Sequence, residues 1–442
     1  MVFDVLAASA ADPNATVLVD AGTGERYSRG QLEDRVSARA ESWRGEPQGG
    51  VLPLVVGPTT DSVVDLLSVW RAGLVPAPLN AALAPVERDA ARAELMDSPA
   101  VPDAHVVLWS SGTSGRPRGV VLGAEAFQSI TRGAVSRLGV GSEDVWALTL
   151  SPAHVGGLAL VMRSIALGGV LITLPDTTSP TLSDALDADE LAITRLSLVP
   201  IQLRRLLDER GSRRAPGRLR SVLIGGAHAP PSLVEAAVQT GWPIALTYGA
   251  TEMTSQITTA TPEETAAAPG HVGRAMPGVD VRVDADGGVL ARGDTVALGR
   301  IGATGLESIL DADGWYATGD VGALDAQGRL SITGRRIDRI VTGGTTVDAR
   351  EVEEVLRGLP GVLDAVVVGV PDAEWGERIG AWIVSEPEGG IASWPAALED
   401  ACAARLHPAK RPRVWAFGSA LPRNANGKVD REAVRARLAE SS

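Results

Sequence analysis

The 442-residue chain has one cysteine, Cys402, so no internal disulfide can form. Such sparse usage is compatible with a reducing compartment. A basic excess is also missing: 41 Lys and Arg against 54 Asp and Glu leave a net charge of −13. General nucleic-acid binding wants a basic face, so it is disfavoured. An anionic ligand would need a locally basic pocket within this acidic field. The first residues, MVFDVLAASAADPNA, carry no basic n-region and place Asp4 early, which argues against a secretory leader and for a cytoplasmic location. No uninterrupted apolar run spans a bilayer. The nearest, residues 155–174, has Arg163 in its middle and glycine pairs at Gly156, Gly157 and Gly168, Gly169. A charge at mid-bilayer is expensive, so the run reads as a buried helix followed by a buried strand. There is no fixed-period repeat, and the GxxxxGK[ST] spacing of a P-loop is absent.

The length predicts one large domain and a smaller one. Hydrophobic residues at 45% and charged residues at 21% are ordinary for a globular chain. Residues 16–20 read as a strand. Residues 28–43 have helical spacing, with Leu32, Val36 and Ala40 on one face. A strand at 51–56, an apolar helix at 62–72 and a buried strand at 75–79 follow, and residues 125–138 form another helix. Residues 197–211 read as strand then helix. A βαβ unit runs from 221 to 247, its helix opened by Pro230 and Pro231, with Ser232 and Glu235 at capping-box spacing. Alternation of this type predicts α/β architecture: a large N-terminal domain of parallel-rich sheets flanked by helices. The last hundred residues read as a small α+β domain, with strands at 363–370 and 379–385, a helix at 394–406, and Asp348 with Glu351 as a helix cap.

Chemistry concentrates in loops between these elements. In VVLWSSGTSGRPRGVVL, residues 106–122, an apolar strand runs into Ser110, Ser111, Gly112, Thr113, Ser114 and Gly115, followed by Arg116 and Arg118. Glycines let backbone N–H groups turn inward to make an anion-binding concavity, and the hydroxyls add donors. Taken alone, such a stretch is as readily a plain hairpin. Two further loops, Gly225-Gly226-Ala227-His228 and Tyr248-Gly249-Ala250-Thr251-Glu252, follow strands of the βαβ unit. Ligands in open α/β sheets lie beyond the carboxyl ends of strands, which puts both loops on one crevice. His154 precedes two glycines and a helix; a single histidine beside apolar residues is more often structural than catalytic. Arg163 reads as a buried salt bridge or as the binder of a substrate carboxylate, the bridge being preferred.

The stretch 106–122 resembles the phosphate-binding loop of the adenylate-forming superfamily, which includes acyl-CoA synthetases, peptide-synthetase adenylation domains and firefly luciferase. Arg118 stands where that pattern has lysine, which keeps the charge but alters donor geometry. YGATE resembles the superfamily's Y-G-x-T-E motif. GWYATGD resembles W-x-x-T-G-D, and LPRNANGK resembles its C-terminal P-x-x-x-x-G-K. These motifs occur in the expected order from Ser110 to Lys428. The resemblance implies that residues 110–115, with Gly225, Gly226 and Ala227, line the nucleotide site. It implies that Tyr248, Gly249 and Ala250 flank the adenine, that Thr251 touches the α-phosphate, and that Glu252 holds Mg²⁺. Asp320 and Arg335 would take the ribose. Gly343 and Gly344 would approach the pantetheine thiol, His154 would line the acyl pocket, and Lys428 would neutralise the adenylation transition state. It further implies domains at 1–336 and 337–442, the second a mobile cap hinged near Ile337.

The activity implied is ATP-dependent ligation of a small carboxylic acid to CoA through an acyl-adenylate, with ATP, Mg²⁺ and CoA as cofactors. The short N-terminal part, SLVPIQLRRLL and YGATEMTSQI are most similar to o-succinylbenzoate–CoA ligases of menaquinone synthesis. Another aryl- or acyl-CoA ligase, an adenylation domain charging a carrier protein, and a non-catalytic nucleotide sensor are the alternatives. A homo-oligomer is left open.

Overall fold

The computed structural model describes residues 4–9, 11–96, 101–110, 118–302, 305–336, 339–343, 345–385, 394–423 and 429–440. Contacts divide the chain into two compact units. The first comprises Met1–Arg282, Leu290–Thr318 and Leu324–Ser331; the second comprises Val283–Val289, Gly319–Ala323 and Ile332–Ser442. The boundary expected after Arg336 falls inside the second unit.

The first unit is built on a sheet with nine strands among the described residues. In spatial order they are Arg274–Ala275, Ser255–Thr259, Ile244–Ala250, Ser221–Ile224, Arg195–Leu198, Val145–Ala147, Val170–Thr173, Thr16–Asp20 and Arg26–Ser28. The six from Ile244–Ala250 to Thr16–Asp20 pair in parallel, and the outer three join antiparallel. Successive side chains on a strand point to opposite faces, and both faces are apolar here. Leu18, Trp146, Leu171, Leu223 and Ala245 face one core, which the helices Arg29–Ala40, Thr60–Arg71, Ala124–Leu138 and Val155–Leu167 cover. Val19, Ala147, Ile172, Val222, Ile224, Ile244 and Leu246 face the other, under Ser179–Asp187, Pro200–Arg210 and Pro231–Gln239. Burial on both faces is why these strands read as continuous apolar runs.

Two local expectations are corrected. Pro231 takes the first helical position and Pro230 the N-cap, with no side-chain cap bond; Ser232 therefore lies inside the first turn and no Ser232–Glu235 capping box forms. Tyr248, Gly249 and Ala250 are not loop: they extend strand Ile244–Ala250, which pairs with Ser255–Thr259. Among the described residues, no helix is long and apolar enough to cross a membrane.

In the second unit, Thr345–Asp348, Arg339–Thr342, Gly376–Ser385 and Val362–Asp372 form a sheet, and Val414–Gly418 adds to Gly376–Ser385 in parallel. One face buries Val367, Ile379, Ile383, Leu398 and Cys402 with helices Ala349–Arg357 and Trp394–Arg405. The other buries Val366, Val368 and Val370 against Val434 and Leu438 of helix Arg431–Glu440. Asp348 caps the first helix as expected, accepting the Arg350 N–H at 2.9 Å. Glu353, 3% exposed, is satisfied by Arg431 at 2.7 Å, Arg357 at 3.1 Å and the Val367 N–H at 3.0 Å.

Candidate active site

Parallel pairing brings the carboxyl ends of the central strands of the first unit to one edge. Ile224 pairs with Leu246 and with Leu198, so the turns after all three strands are neighbours. The Gly225 N–H donates to the Leu198 carbonyl at 3.3 Å. The connection after Val145–Ala147 joins them: the Thr149 carbonyl accepts from Gln202 Nε2 at 3.1 Å, and Thr149 Oγ1 donates to the Ser197 carbonyl. That connection ends at His154. The Gly225–His228 turn, the Tyr248–Glu252 segment and His154 thus share one edge, as the crevice rule requires.

Strand Ile244–Ala250 reverses within a few residues. A 3₁₀ turn, Thr251–Met253, is followed by Thr254 at φ +48° and Ser255 at φ +95°. Two consecutive non-glycine residues in this region cost about 1–3 kcal/mol each. The Thr254 hydroxyl offsets part of that by donating to the Thr295 carbonyl at 2.8 Å. At Gly249 a Cβ would stand 1.5 Å from the Ser255 carbonyl oxygen, so only glycine fits opposite the return strand.

This turn places Glu252. Its carbonyl accepts the Ala297 N–H at 2.8 Å, and its carboxylate receives Arg300 Nη2 at 2.6 Å. Burial draws the Arg300 guanidinium down, but the Glu252 hydrogen bond and charge outweigh it and hold the group above its ordinary range. Arg300 lies on strand Gly299–Gly302, paired with Val120 of strand Arg118–Gly123. The latter pairs antiparallel with Ala104–Ser110, Ser110 opposite Arg118. Arg300 is therefore aligned two residues, about 7 Å, from the base of the expected phosphate loop. The two strands pair antiparallel, as the plain hairpin reading expects. Ser111, Gly112, Thr113, Ser114 and Gly115 lie outside the described residues.

His154 is the N-cap residue of helix Val155–Leu167. Its Nε2 stands 3.0 Å from Asn80 Nδ2, at the end of strand Val75–Asn80. With the amide as donor, Nε2 is the unprotonated ring nitrogen.

The salt bridge preferred for Arg163 does not form. Arg163 is 3% exposed, and no carboxylate lies within ion-pair distance among the described residues. Its Nη2 donates to Gln256 Oε1 at 2.9 Å, and the guanidinium lies 5.9 Å from the Trp146 ring centroid. Nε has no acceptor among the described residues.

In the second unit, Asp320 Oδ1 accepts from Arg335 Nε at 3.0 Å. The two ribose-binding candidates are therefore a pair, with Asp320 mostly buried and Arg335 42% exposed in its side chain. Gly343 has φ +54°, and its N–H donates to the Trp375 carbonyl at 2.9 Å. A Cβ there would meet the Trp375 ring at 2.7 Å. Gly344, Ile337 and Lys428 lie outside the described residues.

Two site residues escaped the sequence: Arg300, which lies in a segment with no legible motif, and Asn80. The signal for Asn80 was its place at the carboxyl end of a buried strand. The signal for Arg300 was weaker, a lone cation between glycines in an apolar sheet segment.

The AMP-binding enzyme family matches residues 85–305, and the AMP-binding enzyme C-terminal domain matches residues 351–428. A 2-succinylbenzoate–CoA ligase of Bacillus cereus is 33% identical over 352 residues, 78% of this chain and 72% of that protein. The ATP-bound MatB structure from Rhodopseudomonas palustris superposes with TM-score 0.88 at 25% identity, covering 100% of this chain and 99% of the other. The fold is shared with o-succinylbenzoate CoA synthetase (MenE) of Bacillus subtilis in complex with the acyl-adenylate OSB-AMP, at TM-score 0.87 and 24% identity over 98% of each chain. With both family segments matched in order and a relative one-third identical over most of its length, the chain belongs to the AMP-binding enzyme family.

Proposed function

We propose that this enzyme is an AMP-forming carboxylate–CoA ligase that converts 2-succinylbenzoate to its CoA thioester for menaquinone synthesis. One observation carries the reading: a carboxylate and an arginine, Glu252 and Arg300, are held together at the strand-end crevice beside the expected phosphate loop. The curated ligase relative and the motif order support it.

In the first half-reaction a substrate carboxylate oxygen bonds to the α-phosphorus of ATP, and the bond to pyrophosphate breaks. Two anions meet and charge spreads over phosphoryl oxygens, so catalysis is positioning plus electrostatics. Donors of Ser110–Gly115, Thr251 and Lys428 share that charge. Asp320, steered by Arg335, accepts the ribose hydroxyls, and Tyr248, Gly249, Ala250 and the Gly225–Ala227 turn border the adenine. In the second half-reaction the CoA thiol, brought past Gly343 and Gly344, displaces AMP from the acyl carbon. His154, fixed by Asn80, lines the acyl side.

The donor set fits a Mg²⁺ ion. One Glu252 oxygen is held by Arg300 and the other accepts no hydrogen bond among the described residues. No cluster of three metal-ligating side chains occurs among them either. A single carboxylate completed by phosphate oxygens and water is what Mg²⁺ favours. When bound, the ion supplies charge neutralisation at the phosphates.

Pyrophosphate exchange across aromatic, fatty and amino acids tests the reading. Exchange should depend on 2-succinylbenzoate, and CoA rather than a phosphopantetheinyl carrier should release AMP and yield the thioester. Exchange with other acids only would overturn the substrate assignment.

A further inference from the structure

The chain leaves the Glu252 turn through a backbone conformation that its residues disfavour. Thr254 has φ +48° and ψ +44°, and Ser255 follows at φ +95°. Among the described residues, the non-glycine residues at positive φ are Asp103, Ala192, Thr254 and Ser255, and only the last two are adjacent. A β-branched side chain is a particular outlier in this region. Glycine takes the same φ without steric cost, so the reversal by itself does not call for threonine.

What threonine adds is a tether. Thr254 is 0% exposed, and its hydroxyl donates to the Thr295 carbonyl at 2.8 Å. Two residues earlier the Glu252 carbonyl accepts the Ala297 N–H at 2.8 Å, and the Glu252 carboxylate receives Arg300 Nη2 at 2.6 Å. Between these contacts Met253 is fully buried in the core. The Thr254 N–H closes the 3₁₀ turn on the Thr251 carbonyl at 3.1 Å. Residues 252–254 are thus fastened to residues 295–300 at three points, and the Thr254 hydroxyl supplies the one nearest strand Ser255–Thr259. Strained backbone of this type persists only where its surroundings over-determine it, and it clusters at functional sites. Without the hydroxyl, residue 254 is free to relax out of the left-handed region, and the backbone carrying Glu252 turns with it.

We infer that Thr254 is a positioning residue for Glu252. Its hydroxyl holds the strained turn that aims one carboxylate oxygen at Arg300 and leaves the other to the ion. The inference rests on the ligase reading above, with Glu252 as the Mg²⁺ ligand, and adds what orients that ligand. Thr254 is buried and acts through the backbone of Glu252, as the outer partners of metal-binding groups do.

The test titrates the full chain with ATP by calorimetry, in MgCl₂ and in EDTA, beside thermal melts of the ligand-free protein and pyrophosphate exchange. T254G removes both the strain and the hydroxyl, T254V removes the hydroxyl alone, and T254S keeps it. Mg²⁺ should tighten ATP binding to wild type. T254G and T254V should each lose about 10-fold of that gain, with exchange slowed at least ~10-fold, while ATP affinity in EDTA stays within about twofold. Relief of the strain should keep the Tm of T254G within about 2 °C of wild type and above that of T254V. T254S should match wild type in every readout. A merely structural threonine predicts instead that affinity in MgCl₂ and in EDTA fall together, in step with Tm. That result, or T254G or T254V with the wild-type Mg²⁺ gain, or T254S as impaired as T254V, overturns the inference alone. E252Q that keeps the wild-type gain, or a wild type that shows none, overturns Glu252 as the ion's ligand and this inference with it. A wild type that binds no ATP overturns the ligase reading and both of these. The titrations contain no acid, so a failure of 2-succinylbenzoate as substrate overturns that assignment and leaves the result on Thr254 standing.

Discussion

Replacing Glu252 by glutamine separates charge from packing at the crevice. The carboxylate stands 2.6 Å from Arg300, with 12% of the Glu252 side chain and 32% of the Arg300 side chain exposed. At an effective dielectric of ~20, a unit-charge pair at that separation is worth about 6 kcal/mol before desolvation. Partial exposure and the desolvation of both groups leave about 1–2 kcal/mol net. Glutamine keeps an oxygen acceptor for Arg300, so E252Q should cost about 1 kcal/mol, roughly 2 °C in Tm for a unit of this size. Glu252 acts by holding Mg²⁺, and displacing that charge-neutralising ion from the transition state costs about 10²–10³ in rate. Thermal melts and pyrophosphate exchange on the same preparation should therefore diverge: Tm nearly unchanged, exchange at least ~100-fold slower. The companion variant R300M releases the carboxylate from its cation. Half-saturating Mg²⁺ should then fall about fivefold, the equivalent of ~1 kcal/mol. E252Q that exchanges at the wild-type rate, or that loses activity only in proportion to unfolding, would refute the assignment.

Two further outcomes follow from burial. G249A puts a methyl group into the Ser255 carbonyl, 1.5 Å away; backbone cannot yield as a side chain does, so denaturant unfolding should show a loss of about 3 kcal/mol or more, and a loss under ~1 kcal/mol would contradict the strand pairing. His105 is stacked on Trp70 at 4.8 Å with Phe127 edge-on at 5.9 Å, and burial lowers its pKa to about 3. A folded-state pKa below the unfolded value means this stabilisation is complete above about pH 6.5 and is lost as the pH falls toward 3. Between pH 7 and pH 5 the loss from this group is about 2 kcal/mol, and H105F should show a correspondingly shallower acid dependence in urea melts. An unchanged pH dependence would contradict it.

The architecture was legible because both layers write strong patterns. Runs such as residues 75–79 and 222–224 are apolar throughout, as strands buried on two faces must be. The helix Arg29–Ala40 buries Leu32 and Val36 at the expected spacing. What the sequence hid was pairing between distant or weakly β-forming segments. Tyr248, Gly249 and Ala250 have little collective strand signal, and only Ser255–Thr259 recruits them into the sheet. Arg300 meets Glu252 because strand Gly299–Gly302 joins a hairpin nearly two hundred residues earlier, and no local spacing encodes that. Arg163 was misjudged for a related reason: its partner, Gln256, is a neutral side chain on a strand about ninety residues later, and no local spacing encodes that contact. Motif residues were legible as residues, whereas the partners that tune them were not.

The central claim is that one body of residues neutralises the charge of adenylation in a step separate from thioester formation, with Lys428 serving only the first. K428A, assayed in both half-reactions, tests it most directly. The account predicts abolished 2-succinylbenzoate-dependent pyrophosphate exchange and near-normal CoA thioester formation from supplied acyl-AMP; equal loss in both would contradict it.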